Sequence, residues 1–258
     1  MTDLQIANLT LTSLGADTIT SFTEDSEPAR KVSTNYNHIL NAMLREHPWN
    51  FAIKRVKLDL ATSALTGSID PTASTAVVGV GTLFTTELVT TNMIKVNSAV
   101  RTVDTITDNT HLTVTLAFDD DGNDTSPEKL TTPAFGYTYF HNVPTDSLRI
   151  LNIYNGTDET DDIEDFKVEQ AYIASDEETL YARYIFLPST SAISIDFAIA
   201  FSTRLAAEIA WAITNSAGMV QNMFNLYQDK LRIAKINDAQ ESGKTIIQGE
   251  DEWLESRV

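Results

Sequence analysis

The sequence predicts an α+β fold: a helical-bundle body with a few strands, plus an inserted all-β sandwich or barrel domain. Two observations predict it. Apolar residues recur at helical spacing in both end regions, whereas residues 62–133 show no helical periodicity and are rich in Thr, Val, Ser and Asp. The character of the sequence changes near Ala61 and changes back at Ala134. We therefore assign residues 1–61 and 134–258 to the body and residues 62–133 to an inserted β domain.

The N-terminal part of the body is predicted to contain two helices and a strand. The first helix should end at Gly15, because glycine adopts the left-handed conformation of a helix C-cap without steric cost. The second should begin after Ser26, which can cap it, with Pro28 in the first turn, where proline is tolerated. It should end before Pro48, since the residue preceding a proline is disfavoured in a helix. A strand at residues 53–58 is predicted to follow.

The C-terminal part of the body should contain strands followed by two helices. One helix is predicted from Asp196 to about Asn215 and another from Val220 to about Gln240, because apolar residues form stripes at helical spacing there. Residues 241–258 are polar with a few apolar side chains, and we expect them to extend from the body as a tail. The strand candidates in this part are residues 137–140, 148–153, 166–169 and 180–186.

The inserted segment is predicted to be all β, because short runs of strand-forming residues alternate with Gly, Asn, Asp and Ser. Short strands at regular spacing are typical of small sandwiches and barrels. The strand candidates are residues 75–78, 93–96, 100–103 and 112–116.

The composition excludes several classes of site. The chain has no cysteine, which rules out disulfides, thiolate metal ligands and cysteine nucleophiles and indicates folding in a reducing cytosol. Its net charge of −18, from 36 acidic and 18 basic residues, argues against gripping nucleic acid by neutralising phosphates. A long uninterrupted apolar run is missing, so no membrane span is predicted, and residues 1–15 lack the basic and apolar regions of a signal peptide.

The motifs that suggest catalysis or metal binding are incomplete. Residues 243–245, Gly-Lys-Thr, resemble the end of a phosphate-binding loop, but the glycine required five positions earlier is Asp238. The acidic run at residues 119–124 has the glycine spacing of a calcium loop, yet Ala117 occupies the first ligand position. The histidines lack metal-site spacing, and a nucleophile elbow is missing. We therefore assign no catalytic residue, no metal and no cofactor, and we expect that the chain is not an enzyme.

The helix predicted from Asp196 has small residues on nearly every face, most densely at residues 205–212. Small side chains let helices approach one another closely. Such a helix can be a buried core helix or a contact between subunits, and the sequence leaves both interpretations open. We take Ala206, Ala210 and Trp211 as candidates for a subunit interface.

Several short stretches in the two end regions follow one another in a specific order and spacing. They are Leu11-Thr12-Ser13-Leu14-Gly15, His47-Pro48-Trp49-Asn50-Phe51-Ala52, Val143-Pro144-Thr145-Asp146, Leu226-Tyr227 and Ala234-Lys235-Ile236-Asn237-Asp238-Ala239. In this order they resemble the tail tubular protein A family, the head-to-tail adaptors of short-tailed bacteriophages. We take as the core signature of the resemblance Trp49, Phe51, Tyr137, Pro144 and Asp146. The insertion departs from the family pattern and is similar to small β modules of phage tail and baseplate proteins.

The resemblance implies a structural virion protein. It implies a twelve-membered ring between the portal and the tail nozzle, around the channel through which DNA is ejected. The partners would then be further copies of the chain, the portal protein and the nozzle protein, with tail fibres as a further candidate. DNA would pass without specific binding, because an acidic wall repels phosphates. The protein would be made in the cytoplasm of the bacterial host and located in the virion, at the portal vertex.

The C-terminal tail is the predicted portal contact. Its apolar side chains, Ile246, Ile247, Trp253 and Leu254, gain nothing in solvent, and burying each could contribute about 1.5–3 kcal/mol. The resemblance points to the portal, because the C-termini of the family reach toward it. A tail folded back on its own helices and a disordered tail are the other interpretations of the same residues.

Two other functions fit parts of the sequence. The first is a tail-associated protein that binds glycans or the cell surface, or acts on the cell wall, with residues 62–133 holding the sugar. That insertion offers only Phe84 and Phe118 as aromatic contacts. The second is an ordinary cytosolic binding module of the α+β class. A mass measurement separates a ring of about twelve subunits from a monomeric module.

Overall fold

The computed structural model describes residues 1–120 and 125–241, which form five helices and thirteen strands. The helices are α1 (Asp3–Ser13), α2 (Glu27–Glu46), α3 (Phe84–Glu87), α4 (Ile195–Thr214) and α5 (Ala217–Glu241). The strands are β1 (Ile53–Lys57), β2 (Thr62–Ala64), β3 (Ser68–Ile69), β4 (Ala76–Val80), β5 (Met93–Val96), β6 (Ala99–Ile106), β7 (His111–Val114), β8 (Glu128–Leu130), β9 (Tyr139–Asn142), β10 (Ser147–Tyr154), β11 (Lys167–Glu169), β12 (Tyr172–Ser175) and β13 (Tyr181–Phe186).

The predicted fold class, a helical-bundle body with a few strands and an inserted sandwich or barrel, is wrong. The described residues form three antiparallel sheets, with strand orders β1-β13-β10, β11-β12-β9 and β2-β8-β5-β6-β7-β4-β3. Sequence patterns undercount the strands because several are too short to show alternation. Ser68–Ile69 has two residues and Thr62–Ala64 has three, while Tyr172–Ser175 is buried on both faces and so does not alternate.

The chain divides into two compact units. Unit 1 contains residues 1–54, 146–151 and the chain from Tyr184 onward, and unit 2 contains residues 55–145 and 152–183. The strands of the seven-stranded sheet all lie within the predicted insertion. Unit 2 is larger than the insertion and also contains strands of the other two sheets. Independent folding of residues 62–133 stays a prediction.

Local signals in the N-terminal helices confirm the predicted caps. Thr2 forms a capping box at the start of α1, and Gly15 follows this helix with a positive φ of 71°. At the start of α2, the Ser26 hydroxyl accepts a hydrogen bond from the backbone nitrogen of Ala29. His47, in extended conformation, ends α2 before the proline.

Helices α1, α2, α4 and α5 share one apolar core in unit 1. Trp49 is fully buried in this core, and its indole Nε1 donates a hydrogen bond to the Met43 carbonyl oxygen at 3.0 Å. Its ring packs edge-on against Phe197, with ring centroids 4.9 Å apart, and stacks on Phe51. The segment that follows α2 is therefore held in the core by aromatic packing.

Helix α4 is apolar on most of its surface. By length and composition alone it could cross a membrane, but 61% of its most apolar window is buried inside the protein, as in a core helix. Asn215, in the left-handed conformation, ends α4, and α5 begins two residues later. Helix α5 therefore begins three residues earlier than the predicted start at Val220.

Unit 2 has its own apolar core, formed by the seven-stranded sheet and α3. The largest fully buried side chains there are Ile69, Phe84, Ile94 and Leu112. Thr62 pairs with Leu130, and the Thr131 nitrogen donates to the Ala61 carbonyl oxygen at 2.8 Å. The chain therefore enters and leaves the predicted insertion at neighbouring positions.

Candidate functional site

A buried carboxylate links the end of α5 to the segment that follows α2. Asp238 is 8% exposed, and its Oδ2 lies 3.1 Å from His47 Nε2. Its Oδ1 accepts a hydrogen bond from the Asn50 backbone nitrogen at 2.9 Å, and the Asn50 side chain donates to the Asp238 carbonyl oxygen at 2.6 Å. We call these three residues the helix-end cluster.

The helix-end cluster brings together two stretches that carry the family resemblance. His47 and Asn50 belong to the first stretch and Asp238 to the second. Asn50 and Asp238 are 188 residues apart in the sequence. A buried carboxylate is costly unless it is hydrogen-bonded, and both of its oxygens have protein partners here. Both oxygens are therefore used to hold helix α5 in place.

Two further polar contacts fix α5 along its length. Lys235 Nζ lies 2.9 Å from the Glu46 carboxylate at the end of α2. Asn237 donates a hydrogen bond to Asp196 in the first turn of α4 at 2.8 Å. Together with the helix-end cluster, these contacts tie α5 to both neighbouring helices.

A second polar cluster surrounds Asp146, which the resemblance singles out. Lys54 Nζ lies 2.5 Å from Asp146 Oδ2, and the Tyr184 hydroxyl donates to Oδ1 at 2.9 Å. The hydrogen bond from Lys54 lowers the pKa of Asp146, while burial and the bond to Asp146 raise the pKa of Tyr184 to about 12. Lys54 also lies 4.0 Å from the ring centroid of Phe186. The cluster joins residues of three separate chain segments within unit 1.

The other members of the core signature lie in different surroundings. Trp49 is fully buried, and Phe51 is half-buried beside it. The half-buried Tyr137 donates its hydroxyl hydrogen to Asp165 at 2.8 Å, which raises the pKa of Tyr137. Pro144 is half-buried just before β10. The structure thus brings Trp49 and Phe51 together, and gives Asp146 separate polar partners.

His141 is a polar core residue that sequence reasoning did not single out. Its side chain is fully buried, and its Nε2 lies 3.2 Å from the Glu178 carbonyl oxygen. Burial lowers the pKa of His141, so the ring is neutral at pH 7. It lies in β9, one residue beyond the strand predicted at residues 137–140, so the sequence pattern did not indicate its burial.

Helices α4 and α5 expose large apolar side chains. Of the predicted interface residues, Ala206 and Ala210 are fully buried in the core of unit 1, whereas Trp211 is 57% exposed. Further exposed side chains on α5 accompany it. We define the α4–α5 apolar surface as Trp211 of α4 together with Leu226, Ile233 and Ile236, which lie on one side of α5.

A groove follows one face of α5. We define the α5 groove by Phe224, Leu231, Arg232, Lys235, Ile236 and Ala239, and its two adjoining parts have volumes of 360 and 430 Å³. Both parts share Leu231, which lies about midway along the groove. The groove therefore combines apolar side chains with cationic ones.

A separate cavity of 210 Å³ lies in unit 2. Its lining includes Tyr154, Thr157 and Tyr181, and an ion pair between Arg55 and Glu159 lies beside them. Its charges are mixed, and they do not indicate one class of ligand.

The remaining predicted sites fall partly outside the described residues. Within residues 1–120 and 125–241, no group of three His, Asp or Glu side chains could hold a metal ion. The acidic run at 119–124 is described only at its first two positions. The predicted portal contacts Ile246, Ile247, Trp253 and Leu254 lie outside the described residues.

Comparison with known proteins gives no further identification. No protein-family model matches the chain, and no curated protein matches it significantly.

Proposed function

We propose that this chain is a structural subunit of the ring that joins the portal to the tail nozzle of a short-tailed bacteriophage. The proposal starts from the resemblance of both end regions to the tail tubular protein A family. The observation that carries it is the α4–α5 apolar surface, on a chain whose net charge is −18. A ring subunit needs such a surface, because each copy buries part of its surface against its neighbours.

The residue types on this surface are those of a contact between protein subunits and not those of scattered exposed side chains. Single exposed apolar residues are normal on a soluble protein, but Trp and Phe are enriched at the centres of protein interfaces. Here Trp211 lies on one helical hairpin with three exposed aliphatic side chains of α5, Leu226, Ile233 and Ile236. The hairpin is also the part of unit 1 that the helix-end cluster fixes. A rigid apolar surface can bind a partner with little ordering cost.

The acidity of the chain supports a role beside DNA without binding it. Acidic residues outnumber basic ones by 36 to 18, and a ring of such subunits would repel phosphates. DNA would therefore pass through the channel without a specific contact.

The tail is proposed to strengthen docking on the portal. Residues 246 and 247 and residues 253 and 254 supply four apolar side chains beyond the described part of α5. A chain ending at Gln240 should form the same ring but bind the portal more weakly. Equal portal affinity of the full and shortened chains would remove this part of the proposal.

The glycan-binding alternative loses its two aromatic contacts in the insertion. Phe84 is 1% exposed and Phe118 is 3% exposed, so both pack in the core of unit 2. A sugar platform requires an exposed aromatic face, which neither ring offers.

The test is native mass spectrometry of the chain with and without the portal protein of the same phage. We expect closed rings of about twelve copies on the portal, as the resemblance implies. Trp211→Glu should prevent ring closure, because it places a charge in the apolar contact.

The matched control is Phe135→Glu, since Phe135 is 89% exposed but lies outside α4 and α5. It should assemble as the unmodified chain does. If the chain stays monomeric with the portal, or if both variants assemble equally well, the proposed ring surface is wrong.

A further inference from the structure

The α5 groove combines apolar side chains with more cationic than acidic ones, in a chain whose net charge is −18. The apolar part is formed by Phe224, Leu231, Ile236 and Ala239, and Arg232 lies beside it. Phe224 and Ile236 are 37% and 46% exposed. Side chains of this size lose solvent contact when an apolar segment covers them, so the groove favours an occupant with large apolar residues.

The charge of the groove is opposite to that of the chain. Its two parts are lined by three cations, Arg204, Arg232 and Lys235, and by one carboxylate, Glu46. Over the whole chain acidic residues are twice as frequent as basic ones. Lys235 is paired with Glu46 and Arg204 with Glu208, whereas Arg232 is exposed and forms no ion pair with the described residues. The groove therefore favours an acidic occupant.

One segment of the chain combines both properties. Residues 250–254 read Glu-Asp-Glu-Trp-Leu: three consecutive carboxylates followed by an aromatic and an aliphatic side chain. They lie outside the described residues, beyond the end of α5. The order of charge and apolar residues complements a groove in which Arg232 adjoins Leu231 and Ile236.

The chain is long enough to bring this segment back to the groove. Residues 242–253 can span about 40 Å when extended, and Leu231 lies only about 15 Å from the end of α5 at Glu241. Gly243 and Gly249 permit tight changes of direction. A tether of this length gives an effective concentration on the order of millimolar, which favours the same chain over a second copy.

We infer that the α5 groove binds residues 250–254 of its own chain in the free subunit. The Trp253 and Leu254 side chains cover the apolar part, and the carboxylates face Arg232. The inference concerns the subunit without portal, and its test requires no ring assembly.

The experiment is photo-cross-linking in the full chain, with Trp253→p-benzoylphenylalanine as the probe. Equal amounts of ordinary and ¹⁵N-labelled protein are mixed, irradiated without portal, and digested for mass spectrometry. We expect cross-links from position 253 to residues 224–239, joining peptides of the same isotope label. Arg232→Glu should lower the yield severalfold, and adding Glu252→Lys should restore it.

The matched control is Lys230→Glu, which makes the same charge change on the same helix but does not line the groove. It should leave the yield unchanged. Cross-links that join different isotope labels would show that a second copy supplies the segment, and would overturn the inference. Cross-links outside residues 224–239, or equal losses in Arg232→Glu and Lys230→Glu, would overturn it as well.

Discussion

At the scale of single residues, Asp238 has the largest expected structural effect in the helix-end cluster. Its carboxylate accepts a backbone hydrogen bond from Asn50 and lies beside His47, while 8% of the residue is exposed. Asp238→Ala should lower the free energy of unfolding by about 2–3 kcal/mol, because it leaves the Asn50 donor without its charged acceptor. Urea denaturation followed by circular dichroism measures this change.

Asp238→Asn is the conservative companion of that variant. It keeps one oxygen acceptor for Asn50 and removes the charge, so it should lose less stability than Asp238→Ala. Unfolding midpoints equal to that of the unmodified chain in both variants would mean that the helix-end cluster does not hold α5.

The Asp146 cluster predicts a pH-dependent contribution to stability. The hydrogen bond from Lys54 lowers the pKa of Asp146 in the folded chain, so ionised Asp146 favours folding. This contribution is present above the ordinary aspartate pKa of about 3.9 and is lost as the pH falls through the lower, folded value. Asp146→Asn should therefore cost about 0.5–1 kcal/mol at pH 6, since both partners are partly exposed and screened.

The pH series supplies its own check. The difference in unfolding free energy between the unmodified chain and Asp146→Asn should shrink as the pH is lowered from 6 toward about 3. Asp229→Asn is the control, because Asp229 is exposed and forms no ion pair with the described residues. A difference for Asp146→Asn that stays constant across this range would contradict the role of its charge.

At the scale of elements, the sequence predicted the four long helices and nine of the thirteen described strands, and it missed four short strands. Caps at Ser26 and Gly15 are local signals, so they could be read directly from neighbouring residues. Strands such as Ser68–Ile69 carry no local pattern, because their pairing partners determine them. The fold class was wrong because the body was taken for a helical bundle, whereas its strands pair into two sheets of three strands each.

The contacts of the helix-end cluster could not be predicted from the sequence either, because they also depend on distant partners. The stretch around Trp49 and the stretch around Asp238 were both noted, but nothing in either indicates that they touch. Contacts over 188 residues depend on tertiary packing, which periodicity does not report. The interface candidates are a different case, because the sequence placed Ala206, Ala210 and Trp211 on the correct helix. Only the structure showed that Trp211 is exposed while the two alanines are buried.

The inserted segment gives the prediction at this scale. Replacing residues 62–133 by a short Gly/Ser linker should leave the helices of unit 1 folded. The core of unit 1 contains no residue of this segment, and the hydrogen bond from Thr131 to Ala61 places the two ends of the segment side by side. Far-ultraviolet circular dichroism should retain most of the helical signal. Loss of most of it would mean that the helices need the segment to fold.

At the scale of the whole molecule, two properties of the chain combine in the proposed function. In this proposal the net charge of −18 repels phosphates, and the α4–α5 apolar surface is the place where neighbouring copies would make contact. In the free subunit the C-terminal residues are proposed to cover the α5 groove, which shares Ile236 with this surface. Binding to the portal would then compete with this internal contact for the same residues.

Electron microscopy of the purified chain mixed with the portal protein of its phage tests the central proposal most directly. The account predicts a closed ring of about twelve copies seated coaxially on the portal, and loss of that ring with Trp211→Glu but not with Phe135→Glu. Bare portal particles surrounded by dispersed monomers would contradict it.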